Sequence, residues 1–223
     1  MRHERTPREP AAEAARELPP EGGTQAAGSL RECDKVIEQN AAKSGEIIEC
    51  LAAHRVEWLE REFTRRRGPK SEGYFQKVFA AQERDELIIL VARTGEQLHG
   101  YLKIVWQPEY VPFREKGIPE IQDLNVVPAS LRRGVATRLM DRAEALIAER
   151  SPVAGIGFGL HPGYGPAQRM YIKRGYLPDA LPLTWHDKPV TEGQDVKLDD
   201  ELVLHLTKQL ADPGKERIDE DMV

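Results

Sequence analysis

One segment restricts the folds open to this chain more than any other. It reads Val126-Val127-Pro128-Ala129-Ser130-Leu131-Arg132-Arg133-Gly134-Val135-Ala136-Thr137-Arg138-Leu139: an apolar strand end, a basic turn around one glycine, and the first turn of an amphipathic helix. A strand that passes through a glycine turn into a helix N-terminus builds an anion cradle, because the first N–H groups of the helix lack internal partners and carry the positive end of its dipole. Gly134 admits an approach that a side chain would block. Cations at a helix N-terminus oppose the dipole, so a bound anion explains Arg132, Arg133 and Arg138 better than solvation does. The segment is neither Gly-x-x-x-x-Gly-Lys-Ser/Thr nor a three-glycine dinucleotide fingerprint, so a phosphorylated ligand of another kind is expected.

The turn resembles the coenzyme A loop of the Gcn5-related N-acetyltransferase (GNAT) superfamily, Arg/Gln-x-x-Gly-x-Gly/Ala. Gly134 and Ala136 match, and Leu131 replaces the first Arg or Gln. Further on, Tyr164-Gly165-Pro166-Ala167-Gln168-Arg169-Met170-Tyr171-Ile172-Lys173-Arg174-Gly175-Tyr176 resembles that family's Asn-x-x-Ala-x-x-x-Tyr-x-x-x-Gly-Phe/Tyr. Ala167, Tyr171, Gly175 and Tyr176 fit, while Tyr164 replaces the Asn. The resemblance runs over roughly residues 45–208 and implies the family's α/β (α+β) fold: a mixed, mostly antiparallel sheet of six to seven strands with helices on both faces.

It also implies the family's chemistry, transfer of an acetyl group from acetyl-CoA to a primary amine by direct attack in a ternary complex. The pyrophosphate is then expected on Arg132, Arg133, Gly134, Val135, Ala136 and Thr137. The pantetheine arm is expected along Leu124, Asn125 and Val126, in the manner of an added strand, with a backbone N–H there as oxyanion donor. Glu120 matches the position of the base in the histone acetyltransferase branch, and Tyr171 the tyrosine that reprotonates the coenzyme A sulfur. With a side-chain period of two, Glu120 shares a face with Gln122 and Leu124, and Asp123 and Asn125 point the other way. The acceptor is a small-molecule or protein amine, and a homodimer is compatible with the resemblance.

Composition narrows the alternatives. Lys+Arg 32 against Asp+Glu 37 leaves a net charge of -5, which speaks against nucleic acid as the main partner. Cys33 and Cys50 have no metal-ligand spacing and indicate no disulfide framework, so no metal and two reduced thiols are expected. No apolar run suggests a secretory leader or a membrane span, and early acidic residues disfavour a transit peptide, which points to the cytoplasm. Neither motif contains a cysteine, so an acyl-enzyme route lacks a nucleophile.

The chain divides into an extension over residues 1–30, rich in charge, Pro and Gly, an acetyltransferase domain over 31–210, and an acidic tail over 211–223. A transient helix from Ala11 to Leu18 is conceivable within the extension. Strands are expected at 45–52, 87–93, 97–106, 119–127, 153–160, 183–186 and 202–207, and helices after Ala52, after Lys70, over 133–150 and around 167–173. A coenzyme A sensing module without catalysis is the alternative suggested by Leu131 and Tyr164. A basic turn that docks nucleic acid or an acidic partner is the third.

Overall fold

The computed structural model describes residues 45–210. The expected extension, the helix from Ala11 to Leu18, Cys33 and the acidic tail lie outside the described residues. The elements run β1 (Ile47–Cys50), α1 (Val56–Arg67), α2 (Tyr74–Glu83), β2 (Leu87–Thr94), β3 (Gln97–Val105), α3 (Val111–Glu115), β4 (Glu120–Val126), α4 (Val135–Ala148), β5 (Val153–Gly159), α5 (Gly165–Lys173), β6 (Leu177–Pro178), β7 (Thr184–Trp185), β8 (Lys188–Pro189) and β9 (Leu202–Gln209). Every expected strand and helix is found within a few residues. The sheet is nine-stranded, in the order β1-β2-β3-β4-β5-β9-β7-β8 with β6 on β9; the six long strands match the expected count and three two-residue strands extend it. The short α3 was not legible in the sequence.

Alternation along β2 explains why helices cover both faces. Ile88, Leu90 and Ala92 enter a core with Val135, Leu139, Ala143 and Ile147 of α4, and Leu87, Ile89 and Val91 enter a second core with α1 and α2. The buried residues of α4, Val135, Leu139, Met140, Ala143, Leu146 and Ile147, form one stripe at helical spacing. Each such Leu or Ile contributes about 1.5–3 kcal/mol by leaving water. On the opposite face, Phe63, Phe75 and Tyr101 pack edge to face with centroids 5.3–5.7 Å apart. Cys50 is disulfide-bonded, which corrects the expectation of reduced thiols. Two lone cysteines carry no spacing signal, and pairing is decided by proximity in space.

All described strand pairs but one are antiparallel. The exception is β4 with β5, a parallel contact that lasts for only Glu120↔Gly155 and Ile121↔Ile156. Beyond Ile121 the two strands part, while β5 continues in a long antiparallel pairing with β9. On its other edge β4 carries a bulge: Tyr101 pairs with Asn125 and Lys103 with Gln122, so two steps on β3 oppose three on β4. Asp123 takes the extra step in a left-handed conformation, φ 54°.

The bulge changes which side chains share a face. Leu124 packs against the α4 core, whereas the Asp123 carboxylate accepts from the hydroxyls of Tyr74 (2.6 Å) and Tyr101 (2.7 Å) on the α1/α2 face. Asn125 donates to the same carboxylate at 2.7 Å. Strict alternation had grouped Leu124 with Glu120 and set Asp123 and Asn125 apart. The extra residue reverses the phase for everything after Gln122.

Candidate active site

The basic turn follows a 3-10 turn at Pro128–Ser130 and ends at Gly134, which caps α4 from the left-handed region at φ 77°. A Cβ there would lie 2.8 Å from Nη1 of Arg138, so both the backbone angle and the space favour glycine. No side chain caps the helix and no acid occupies its first turn. Its first N–H groups therefore have no side-chain acceptor from a cap and no acid within their own turn. The helix starts at Val135 rather than at Arg133, so Arg132 and Arg133 belong to the turn. Both are exposed and make no ion pair among the described residues. Arg138 is different. It forms a two-pronged pair with Glu46 at 2.7 and 2.9 Å and donates to the carbonyl of Arg133 at 3.0 Å. It braces the turn instead of presenting its charge to a ligand, a correction to the sequence reading.

Beneath the turn lies a support that sequence reasoning missed. Ser130 is fully buried and hydrogen-bonded to Nδ1 of His99 at 2.8 Å, and Nε2 of His99 meets the Thr94 hydroxyl at 2.9 Å. Burial lowers the His99 pKa, against the charge of Glu46, so the ring is neutral and bridges the two hydroxyls with one donor and one acceptor. Three residues distant in sequence thus pin the loop to the β2–β3 hairpin. No local pattern marks them.

Next to the turn, residues 122–126 of β4 have no β5 partner, leaving an edge of backbone groups facing the gap between the strands. Leu124, Asn125 and Val126 are all partly buried there. Tyr171 lies on the α4/α5 face in the same core as Leu124. It is 5% exposed, and burial raises its pKa, assisted by Tyr164.

Glu120 occupies the α1/α2 face and is 6% exposed. Burial raises its carboxyl to about 7, with Asp187 and Glu109 acting in the same sense and the Gln122 amide and the Lys103 charge opposing. Gln122 donates to Oε2 at 2.8 Å. Oε1 lies over Gly157, 3.2 Å from where a Cβ would be, and that missing side chain is what makes room for the carboxylate. Cδ2 of His205 approaches the same point, also at 3.2 Å. His205 is buried and stacked on Tyr110 at 3.5 Å, and its Nδ1 has no hydrogen-bond partner. Burial lowers it to about 4, against the charges of Asp179 and Asp187, so it is neutral at physiological pH. Neither His205 nor Asp187 carried a signal in the sequence. Each comes near Glu120 only because β9 pairs with β5 and the β7–β8 hairpin pairs with β9.

Asp123 is the opposite kind of carboxylate. Burial raises its pKa, but the charges of Lys70 and Lys103 and the bonds from Tyr101 and Tyr74 outweigh it, and the net shift is downward. Lys70 pairs with it at 2.9 Å. His161 receives the N–H of Gly163 at 3.1 Å and meets Asp200 at 2.8 Å. Among the described residues no group of three or more His, Cys, Asp or Glu is placed to hold a metal ion, and no helix is long and apolar enough to cross a membrane.

Comparison with known proteins bears on this arrangement. Residues 43–176 match the acetyltransferase (GNAT) family. Similar solved structures include an N-acetyltransferase from Staphylococcus aureus Mu50, at TM-score 0.55 and 12% identity, covering 74% of this chain and 99% of that one. YncA of Salmonella typhimurium, solved with its cofactor acetyl-CoA, aligns at TM-score 0.53 and 15% identity over 77% of this chain and 98% of its own. A spermidine N-acetyltransferase from Vibrio cholerae in complex with CoA and spermine gives TM-score 0.52 and 12% identity, over 75% and 97%. At such identities these likenesses establish the fold. The chain has no match among proteins of curated function.

Proposed function

The chain belongs to the acetyltransferase (GNAT) family, and on that premise we propose that it transfers an acetyl group from acetyl-CoA to a primary amine by direct attack in a ternary complex. What supports this most is the parting of β4 from β5 after Ile121, beside a helix N-terminus that has no acid of its own. A free strand edge and an anion cradle lie side by side, as a ligand with an amide-bearing arm and a pyrophosphate requires.

Acetyl-CoA supplies the activated acyl group. The N–H groups around Gly134, Val135, Ala136 and Thr137, with the charges of Arg132 and Arg133, suit its pyrophosphate. The edge formed by Leu124, Asn125 and Val126 suits its arm, and an N–H at the bulge can face the charge that develops on the carbonyl oxygen. An ordinary amine of pKa ~10.4 is almost wholly protonated at neutral pH, so a base is needed. Glu120, near 7, is ionised enough to accept that proton and basic enough to hold it. As the amine nitrogen bonds to the carbonyl carbon and the carbon–sulfur bond breaks, Tyr171 on the other face gives its proton to the leaving thiolate, and the second proton shed by the nitrogen passes through solvent to restore the phenol.

The test is thiol release from acetyl-CoA with a panel of primary amines, with mass spectrometry of the products. An acetyl group on the amine nitrogen supports the reading. Acetyl-CoA binding with no thiol release from any amine overturns it.

A further inference from the structure

One partly buried cation has no use in the steps above. Lys103 lies on β3 opposite Gln122, between the positions of Glu120 and the bulge on the neighbouring strand. Its side chain points to the α1/α2 face, where Nζ sits 5.6 Å from the centroid of the Tyr74 ring. Among the described residues it makes no hydrogen bond and no ion pair. Three carboxylates influence it: Glu109 is exposed, and Asp123 and Glu120 are committed elsewhere. Asp123 already receives Lys70 and Asn125 on Oδ1 and Tyr74 and Tyr101 on Oδ2, four donors that fill its acceptor sites. Glu120 is bonded to Gln122 through Oε2 and directs Oε1 over Gly157.

A partly buried ammonium whose one contact is the face of an aromatic ring, with neither a hydrogen bond nor an ion pair, is costly, and the cost shows in its own titration. Burial pulls the Lys103 pKa down, with Lys70 adding to the effect and Asp123, Glu120 and Glu109 only partly offsetting it. An anion bound against Nζ removes that cost. The coenzyme A phosphates are already accounted for at the α4 turn, so the anion has to come from the acceptor side.

We propose that Lys103 holds an anionic group, a carboxylate in the first instance, on the acceptor, so that the substrate class is small primary amines that also carry a carboxylate. This rests on the acetyltransfer reading. Glu120 and Lys103 then divide the work on one molecule: the carboxylate of Glu120 faces the amine, and the ammonium of Lys103 faces the acid group. The neighbouring Lys70 is neutralised by Asp123 and does not compete for the same group.

The experiment uses the full chain and matched sets of acceptors that differ only at the acid group: phenylalanine, phenylalaninamide and phenethylamine, and leucine, leucinamide and isoamylamine. The expected result is a preference in kcat/KM for the carboxylate member of roughly 10- to 100-fold, the weight of one charge-assisted contact. Lys103→Met should abolish that ratio mainly through KM, and Lys103→Arg should retain most of it. Equal or better use of the uncharged members by wild type overturns the proposal while leaving acetyltransfer intact. So does a Lys103→Met variant that loses rate on all members alike, which would make Lys103 a stabiliser of the reacting carbonyl. Absence of thiol release with every acceptor overturns the acetyltransfer reading and this one with it.

Discussion

The α4 turn and the acceptor face are built on opposite plans. The turn is one contiguous segment whose proposed role rests mainly on backbone: left-handed Gly134, an uncapped helix start, and beside them two exposed arginines. The acceptor face collects side chains from α2, β3, β4, β9 and the β7–β8 hairpin, among them Tyr74, Lys103, Glu120, Asp123, Asp187 and His205. A ligand shared by many enzymes suits a site made of peptide groups, which any sequence can supply. A discriminating site needs chemically distinct groups, and those come from wherever the fold brings strands together.

The largest effect should come from breaking the first plan alone. Gly134→Glu places a side chain in a left-handed position, crowds Arg138, and adds a negative charge at the helix start. Calorimetry should show acetyl-CoA affinity falling by about 100-fold or more, combining roughly 1–2 kcal/mol of strain with up to ~2 kcal/mol of lost dipole interaction. Amine binding should change much less. Unchanged acetyl-CoA affinity in a folded variant removes the cradle assignment.

Tyr171 and Glu120 test whether the two faces meet at the gap. Tyr171→Phe should lower turnover by roughly 10²-fold, the lower end for a general acid because the thiolate leaves readily, with acetyl-CoA affinity kept. Weakened affinity with unchanged turnover makes Tyr171 a packing residue. For Glu120→Gln, the loss of rate should be greatest at and below neutral pH and should shrink toward the amine pKa. The wild-type limb that rises through about 7 should vanish. A rate profile parallel to wild type leaves a water chain as the proton carrier.

The acceptor face also makes a prediction about stability in which the sign carries the information. Glu120 titrates near 7 when folded against 4.5 ordinarily, so the stability it contributes is full below about 4.5 and is lost as pH rises through about 7. His205 titrates near 4 against 6.5, so its contribution is present above about 6.5 and is lost as pH falls through about 4. Between those limits the two slopes oppose each other. Relative to wild type, Glu120→Gln should gain stability as pH rises and His205→Asn should lose it, each by at most about 1.4 kcal/mol per pH unit. Urea unfolding at about pH 5 and about pH 6.5 reads this directly. Three parallel profiles would show that neither group is held as described.

The smallest effect separates conformation from charge at the bulge. Asp123→Ala and Asp123→Gly both remove the carboxylate that gathers four donors, but glycine accepts φ 54° without strain. Acetyl-CoA affinity should therefore differ by about fivefold in favour of the glycine variant, the weight of ~1 kcal/mol. Equal affinities would mean that strand register alone keeps the edge open.

The sequence by itself determined the family, the layered fold and the glycine turn into α4, because each of these is written in local periodicity or in a contiguous motif. Helical spacing in α4 and alternation in β2 follow from backbone geometry, and Gly134 announces its own requirement. Glu120 and Tyr171 were visible through motif position, but their environments were not. Only the tertiary structure decided that Arg138 turns to Glu46, that Asp123 reverses the phase of β4, that His99 supports the loop, and that Lys103 faces the Tyr74 ring with neither a hydrogen bond nor an ion pair. Each of those depends on which strand lies beside which and on a register one residue out of step. A linear pattern does not carry this information, since a bulge moves every later side chain to the other face without changing the residues around it.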